Sequence, residues 1–193
     1  MKIAARPPVT APKEAAPAAP TTPTAATPEA QAGWVAKSAA PRAVGAATSA
    51  SPRDVVTQFY AGFESKNVDA MEKLYAPNLK FQDAIFKFND SAGTTHMWRK
   101  LFQVDPNAKM KFTLDSVDGP NVKGHWVADY HVNGRPVHNE VSTTMKVVDG
   151  KITEHHDDFD WNKWAPQAFP AGKLFTLPGL DSLAKGLVRA LLG

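Results

Sequence analysis

The chain has 193 residues, no cysteine and a formal net charge of +3. The lack of cysteine excludes disulfides, zinc–thiolate sites and cysteine nucleophiles. No apolar run approaches the roughly 18 residues of a membrane span, and Pro7 and Pro8 interrupt any signal-peptide core, so we expect a cytoplasmic protein without a membrane span.

Residues 1–51 predict a disordered arm. Residues 1–52 contain 18 alanines and nine of the chain's 16 prolines, and such a segment buries too little apolar surface to offset its ordering entropy. The arm carries five basic and two acidic residues, whereas the remainder has 17 of each. A neutral body without a basic stripe predicts no nucleic-acid binding. The arm is either a tether or a partner-binding segment.

Three amphipathic helices are predicted next. Ser51-Pro52 is a typical helix start, with a hydroxyl cap followed by proline, and apolar residues from Val55 to Phe63 then form one stripe. A second helix is predicted to begin after Asn67, with Tyr75 on its inner face, and to end at Pro77. A third helix is predicted to be capped by Ser91 or Thr94 and to carry Trp98.

The remaining pattern predicts an antiparallel sheet. Leu79 to Phe86 alternate as a strand, and four more alternating segments follow Pro106. They comprise Met110–Val117, Val122–Val132, Val137–Val148 and Lys151–Phe159. Asp118-Gly119, Asn133-Gly134 and Asp149-Gly150 predict tight turns between them. The result is an α+β fold in which a curved antiparallel sheet wraps around helices and encloses a pocket.

Two segments complete the domain organisation. Trp161 and Trp164 predict a short capping helix, and the predicted α+β domain spans residues 52–170. Residues 171–193 predict an amphipathic helical tail with leucines between Leu180 and Leu192. That tail could cover the pocket, join a dimer interface or touch a membrane surface.

Two aspartates are the leading candidates for catalysis. Asp83 and Asp157 are each predicted on the apolar face of a strand. A carboxylate on such a face loses hydration, which favours its protonated form, and general acid/base catalysis near neutral pH uses carboxylates of this kind. Two of them in one cavity would form an acid/base pair. The alternative is structural, with each aspartate bonded to tyrosine, tryptophan or backbone donors.

No metal or cofactor is predicted. The run from His155 to Asp158 places at most two ligands on each face of a strand, short of the three typical of catalytic zinc. Phosphate-binding glycine loops and the G-x-S-x-G and H-E-x-x-H motifs are missing. Aromatic residues instead predict an apolar pocket for a ring-shaped ligand. The predicted ligand-binding residues are Trp98, Trp126, Tyr130, Asn139, His155 and Phe159.

The element order resembles the SnoaL-like group of the nuclear transport factor 2-like (cystatin-like cone) superfamily. The resemblance rests on Gln58-Phe59-Tyr60, Phe81-Gln82-Asp83, Met97-Trp98, Gly134 to Asn139 and the run from Asp149 to Asp160. It covers about residues 52–170. The superfamily includes ketosteroid isomerases, polyketide cyclases, epoxide hydrolases and binding proteins.

The resemblance implies roles for individual positions. Asp83 matches the general base of the isomerases, Tyr60 their oxyanion-hole tyrosine and Asp157 the catalytic acid of the epoxide hydrolases, whereas Asp160 matches the cyclase aspartate. The sequence departs from the isomerases at Thr143, where they have an acid, and from the epoxide hydrolases at Val127, where they have an arginine.

Three functions therefore stay open. The first is a cofactor-independent isomerase, cyclase or epoxide hydrolase, with Asp83, Asp157 and Tyr60 as catalytic residues and a small apolar molecule as substrate. The second is a carrier of an apolar ligand, and the third is an interaction module that dimerises through its sheet. We expect a homodimer in each case.

Overall fold

The computed structural model describes residues 50–192, so positions 1–49 of the predicted arm lie outside the described residues. The helices are α1 (Pro52–Glu64), α2 (Val68–Glu72), α3 (Ser91–Val104), α4 (Trp161–Ala168) and α5 (Leu180–Leu192). The strands are β1 (Tyr75–Gln82), β2 (Lys87–Phe88), β3 (Lys109–Asp118), β4 (Asn121–Val132), β5 (Arg135–Val148) and β6 (Lys151–Asp158). The predicted α+β fold class, with an unclosed curved sheet, is confirmed.

Polar side chains that cap the first turn set where the helices begin. The Ser51 hydroxyl accepts a hydrogen bond from the backbone of Asp54 at 3.2 Å, and α1 begins at Pro52 as predicted. The predicted caps of α3 are wrong, because Asp90 caps that helix by accepting from the Gly93 N–H at 2.7 Å. A carboxylate preceding the first turn also interacts favourably with the helix dipole.

The first strand differs from its prediction at both ends. β1 begins at Tyr75 rather than Leu79, so Tyr75 is a strand residue and not part of α2. Pro77 lies inside β1, where the pairing with β6 is irregular and no backbone N–H is needed. The strand ends at Gln82, because the Asp83 carboxylate accepts hydrogen bonds from the backbone of Ile85 and Phe86 and forms a turn. Asp83 therefore lies in a loop and not in mid-strand.

The strand order is β2-β1-β6-β5-β4-β3. Strands β3 to β6 form the predicted antiparallel meander, and two of its turns have both central residues at positive φ, Asn133-Gly134 and Asp149-Gly150. The expectation of a wholly antiparallel sheet is wrong at one pairing, since β1 runs parallel to β6. That pairing sets Phe81 beside His155.

One face of the sheet packs on helices and the other faces solvent. Alternation along β5 is clean, with Val141 and Met145 buried and Ser142 and Thr144 exposed. The aromatic side chains of α1, notably Phe59, are buried against the inner face. Among the helices of residues 50–192, none is long and apolar enough to cross a membrane.

We expect Gly124→Ala to destabilise the fold by about 1–3 kcal/mol, the usual effect of overpacking a core. A methyl group at Gly124 would meet the Phe112 ring and lie 2.7 Å from the backbone oxygen of Thr113. Urea unfolding measures the change. Gly186→Ala is the matched control, because its methyl group would meet nothing within 4 Å. Equal stability of the two variants would contradict the close packing at Gly124.

Candidate functional site

A cavity of about 70 Å³ lies against the inner face of the sheet and brings together residues that are distant in sequence. Three polar side chains line it, Asp83, Asn139 and Asp157. The rest of the wall is apolar or aromatic, and comprises Ile85, Phe86, Trp98, Leu101, Trp126, Tyr130, Phe159, Trp164, Val188 and Leu192. An apolar cavity with a few convergent polar groups is the usual form of a small-molecule site.

Asp83 enters the cavity from the loop that follows β1. Its Oδ1 atom accepts hydrogen bonds from the backbone N–H groups of Ile85 at 2.6 Å and Phe86 at 2.5 Å. Burial raises the pKa of Asp83 to about 6, although these two donors oppose the rise, and the negative charge of Asp157 adds to it. Asp83 therefore exchanges protons close to neutral pH.

Asp157 enters from β6 and is only 2% exposed. Its Oδ1 atom lies 3.0 Å from Nε2 of His155, two residues earlier on the same face of the strand. The His155 side chain has no solvent exposure. A buried carboxylate needs such a partner, because removing its hydration without a replacing hydrogen bond is strongly unfavourable.

His155 is connected to two further buried side chains. Its Nδ1 atom lies 2.8 Å from the hydroxyl of Tyr75, and the indole N–H of Trp98 donates to the same hydroxyl at 3.2 Å. The rings of Phe59 and Phe81 meet the imidazole edge to face, with centroids 5.4 and 5.1 Å away. These contacts exclude water from the His155 ring.

The aromatic wall also offers hydrogen-bond donors. Trp164 donates its indole N–H to the Tyr130 hydroxyl at 2.6 Å. Burial raises the pKa of Tyr130 to about 12, so its hydroxyl keeps its proton at neutral pH. Within residues 50–192, the buried indole N–H of Trp126 has no hydrogen-bond partner. Since buried polar groups are rarely left unpaired, Trp126 is suited to donating to a ligand.

The C-terminal helix α5 closes the cavity. Ala184 and Val188 on its inner side are 3% and 4% exposed, and Val188 and Leu192 form part of the cavity wall. Leu183 and Leu187 on the opposite side are 70% and 54% exposed. The helix thus covers the site with one face and presents leucines to solvent with the other.

The structure places the nine residues predicted for the site in three ways. Seven line the cavity: Asp83, Trp98, Trp126, Tyr130, Asn139, Asp157 and Phe159. His155 lies one hydrogen bond behind Asp157. Tyr60 does not line the cavity: its hydroxyl donates to Thr143 at 3.0 Å, and its ring stacks on Phe112 with ring centroids 3.7 Å apart.

Sequence analysis missed Tyr75 and did not assign Val188 or Leu192 to the site. The available signal is the tyrosine itself, since a buried tyrosine hydroxyl usually needs a hydrogen-bond partner. Asp160, which the resemblance matched to a cyclase aspartate, caps α4 by accepting from the backbone of Asn162 at 2.8 Å. Across the described part of the chain, no three acidic or histidine side chains are grouped as metal ligands.

The raised pKa of Asp83 predicts a pH-dependent stability difference between wild type and Asp83→Asn. The folded-state pKa of about 6 exceeds the ordinary value of 3.8, so ionisation disfavours the folded state and wild-type stability falls as pH rises between these values. The variant should gain up to about 3 kcal/mol on wild type between pH 4 and 7. Urea unfolding at both pH values measures this gain.

The control for that measurement is Asp90→Asn. Asp90 is exposed and also accepts a backbone hydrogen bond through Oδ1. A gain for Asp83→Asn no larger than that for Asp90→Asn would contradict the burial of the Asp83 charge.

Residues 56–155 match the model of the SnoaL-like domain family. No protein with curated function matches the chain. Similar solved structures include an LEH-like epoxide hydrolase from M. tuberculosis, with 18% identity, a TM-score of 0.50 and coverage of 71% of this chain and 95% of that one.

Two other structures share the fold. A putative polyketide cyclase from Xanthomonas campestris has 17% identity, a TM-score of 0.54 and coverage of 61% of this chain and 96% of that one. A protein with a ketosteroid isomerase-like fold from Catenulispora acidiphila has 18% identity, a TM-score of 0.54 and coverage of 62% and 94%. With the family model spanning more than half of its residues, the chain belongs to the SnoaL-like domain family.

Proposed function

We propose that this protein is a cofactor-independent acid/base enzyme that acts on an apolar, ring-containing compound. The observation that carries the proposal is that Asp83 and Asp157 line one largely apolar cavity. Two carboxylates in unlike environments can divide the roles of acid and base between them. Similar structures named as an epoxide hydrolase and a polyketide cyclase support this class of reaction.

The two carboxylates have different surroundings and therefore different roles. Asp83, with a pKa of about 6, gives and takes a proton readily near neutral pH. Asp157 lies within hydrogen-bond distance of the buried His155. It acts as the partner of Asp83 and orients the substrate or a water molecule. Tyr60 is left out of this mechanism, because it does not line the cavity and its hydroxyl donates to Thr143.

The hydrogen-bond donors in the cavity wall indicate which class of substrate the site would accept. The indole N–H of Trp126 has no partner among the described residues, and the Tyr130 hydroxyl accepts from Trp164, which leaves its own proton for a ligand. The amide of Asn139 lies in the same wall. A ring compound that carries a carbonyl or epoxide oxygen would satisfy these donors.

Ligand entry requires that α5 moves. A cavity of about 150 Å³ can hold benzene, whereas this one has only about 70 Å³. A second cavity of about 70 Å³ shares Trp98, Leu101, Trp126 and Tyr130 with the first. Displacement of Val188 and Leu192 would open the first cavity. The side chains that the two cavities share could then move, and the cavities would join.

The decisive assay supplies one ring compound for each reaction type: 3-cyclohexenone for isomerisation, limonene-1,2-epoxide for hydrolysis and an aromatic poly-β-ketone for cyclisation. We expect turnover of at least one. Asp83→Asn and Asp157→Asn should each lower kcat/KM by roughly 10²–10⁴-fold, the usual contribution of general acid/base groups. Products are measured by mass spectrometry.

Asp90→Asn serves as the control, since that exposed aspartate caps α3 and lies outside the cavity wall. Wild-type rates in both cavity variants would refute the catalytic assignment. Binding of these compounds without turnover would instead favour the carrier.

A second prediction concerns the covering helix. Val188→Ala with Leu192→Ala removes apolar groups that a ligand must displace, and each buried CH₂ contributes about 0.8 kcal/mol. We expect the neutral probe N-phenyl-1-naphthylamine to bind roughly tenfold more tightly, which corresponds to about 1.4 kcal/mol. Fluorescence titration measures the affinity.

Leu183→Ala with Leu187→Ala is the matched control on the exposed side of α5. If both double variants bind the probe alike, α5 does not control access to the cavity.

Homodimer formation and a cytoplasmic location stay predictions from the sequence. The exposed leucines of α5 and of the segment before it supply an apolar surface that a second copy could cover.

A further inference from the structure

Four buried groups form a continuous hydrogen-bonded row that ends at the cavity. The indole nitrogen of Trp98 lies 3.2 Å from the Tyr75 hydroxyl, which lies 2.8 Å from Nδ1 of His155. On the other side of the ring, Nε2 lies 3.0 Å from Oδ1 of Asp157. All four residues are at most 4% exposed, so water does not compete for these bonds.

The chemistry of the first group sets the direction of the row. An indole N–H only donates, so the Tyr75 oxygen accepts from Trp98. The hydroxyl proton of Tyr75 is then free to donate to Nδ1 of His155. A neutral imidazole that accepts at Nδ1 carries its proton on Nε2, and this proton points to Asp157.

The opposite direction of hydrogen bonding would leave the hydroxyl proton of Tyr75 without an acceptor. If Nδ1 of His155 carried the proton, the Tyr75 oxygen would accept two hydrogen bonds. The described residues offer no other acceptor for its own proton, and an unpaired buried hydroxyl is unfavourable. Only the order Trp98, Tyr75, His155, Asp157 satisfies every donor and acceptor in the row.

We propose that Trp98, Tyr75 and His155 are positioning residues for Asp157. Each of them donates a hydrogen bond to the next group in the row, and this donor chain fixes His155 as the Nε2–H tautomer and directs that proton to Oδ1 of Asp157. Oδ2 of Asp157 is then the atom that faces a ligand. The chain holds this carboxylate in one orientation, since a rotation would break its bond to His155. This inference rests on the proposed function for its catalytic consequence, but not for its tautomer.

The chain also connects two parts of the cavity wall. Trp98 and Asp157 both line the cavity, whereas Tyr75 and His155 lie behind them. A ligand that packs on the Trp98 ring therefore contacts the first donor of the row that ends at Asp157. Such supporting groups preserve geometry, and small displacements of a catalytic group reduce rates markedly.

The test is nitrogen-15 NMR of the full chain with labelled histidine at pH 7. We expect the long-range proton–nitrogen pattern of the neutral Nε2–H tautomer for His155, whose signals are assigned by their loss in His155→Gln. An Nδ1–H tautomer or a doubly protonated ring in the wild-type protein would overturn the proposal. This measurement needs no substrate, and it uses the folded His155→Gln variant only to assign the signals.

Tyr75→Phe tests the chain itself. Loss of the hydroxyl should move the Nδ1 resonance of His155 towards that of an unbonded ring nitrogen and should shift the carboxyl carbon-13 resonance of Asp157. Tyr130→Phe is the matched control, since Tyr130 also accepts an indole N–H in the cavity wall but lies outside the row. Equal effects of the two variants on His155 would contradict the chain.

Catalysis supplies an independent readout once a substrate is known. Gln at position 155 can accept from Tyr75 and donate to Asp157, whereas Leu can do neither. We expect His155→Leu to lower kcat at least roughly tenfold relative to His155→Gln, with KM little changed. Equal kcat values would remove the positioning role. If none of the three ring compounds is turned over, the proposed function is refuted, whereas the tautomer of His155 is unaffected by that result.

Discussion

The structure depends on the burial of Asp157 beside His155. A carboxylate that is 2% exposed inside an aromatic core is tolerated only when hydrogen bonds replace its hydration. His155 supplies that replacement, and Tyr75 supplies the partner that His155 needs on its other side. The low local dielectric strengthens each of these bonds. Removal of one partner would leave a buried polar group unpaired, so the row and the core are stable only together.

The same core decides what the cavity can accept. Rings from α3 and β4 form walls that attract apolar compounds, and the few polar groups among them fix the orientation of a ligand. Helix α5 buries Val188 over the cavity. Under the proposed function, the same burial that stabilises the empty protein would oppose ligand entry. Related folds host several reactions, so the residues of the cavity and not the fold determine the chemistry.

Local patterns accounted for much of the fold. Alternation of apolar and polar residues predicted the meander, and Asn133-Gly134 and Asp149-Gly150 predicted turns that require positive φ. Errors occurred where tertiary contacts outweighed local preference. Helical spacing of its neighbours predicts Tyr75 in a helix, whereas pairing with β6 makes it a strand residue. Alternation predicts Asp83 in mid-strand, because this pattern does not reveal a side chain that closes its own turn.

The sequence by itself determined the fold class and the two aspartates as candidates, because periodicity and residue chemistry are local properties. Only the tertiary structure decided which groups meet. It placed Asp83 and Asp157 on one cavity, directed Tyr60 to Thr143 instead, and set Val188 of the C-terminal helix over the site. These outcomes depend on how distant segments pack, and packing is set by shape and hydrogen-bond partners that no single segment contains.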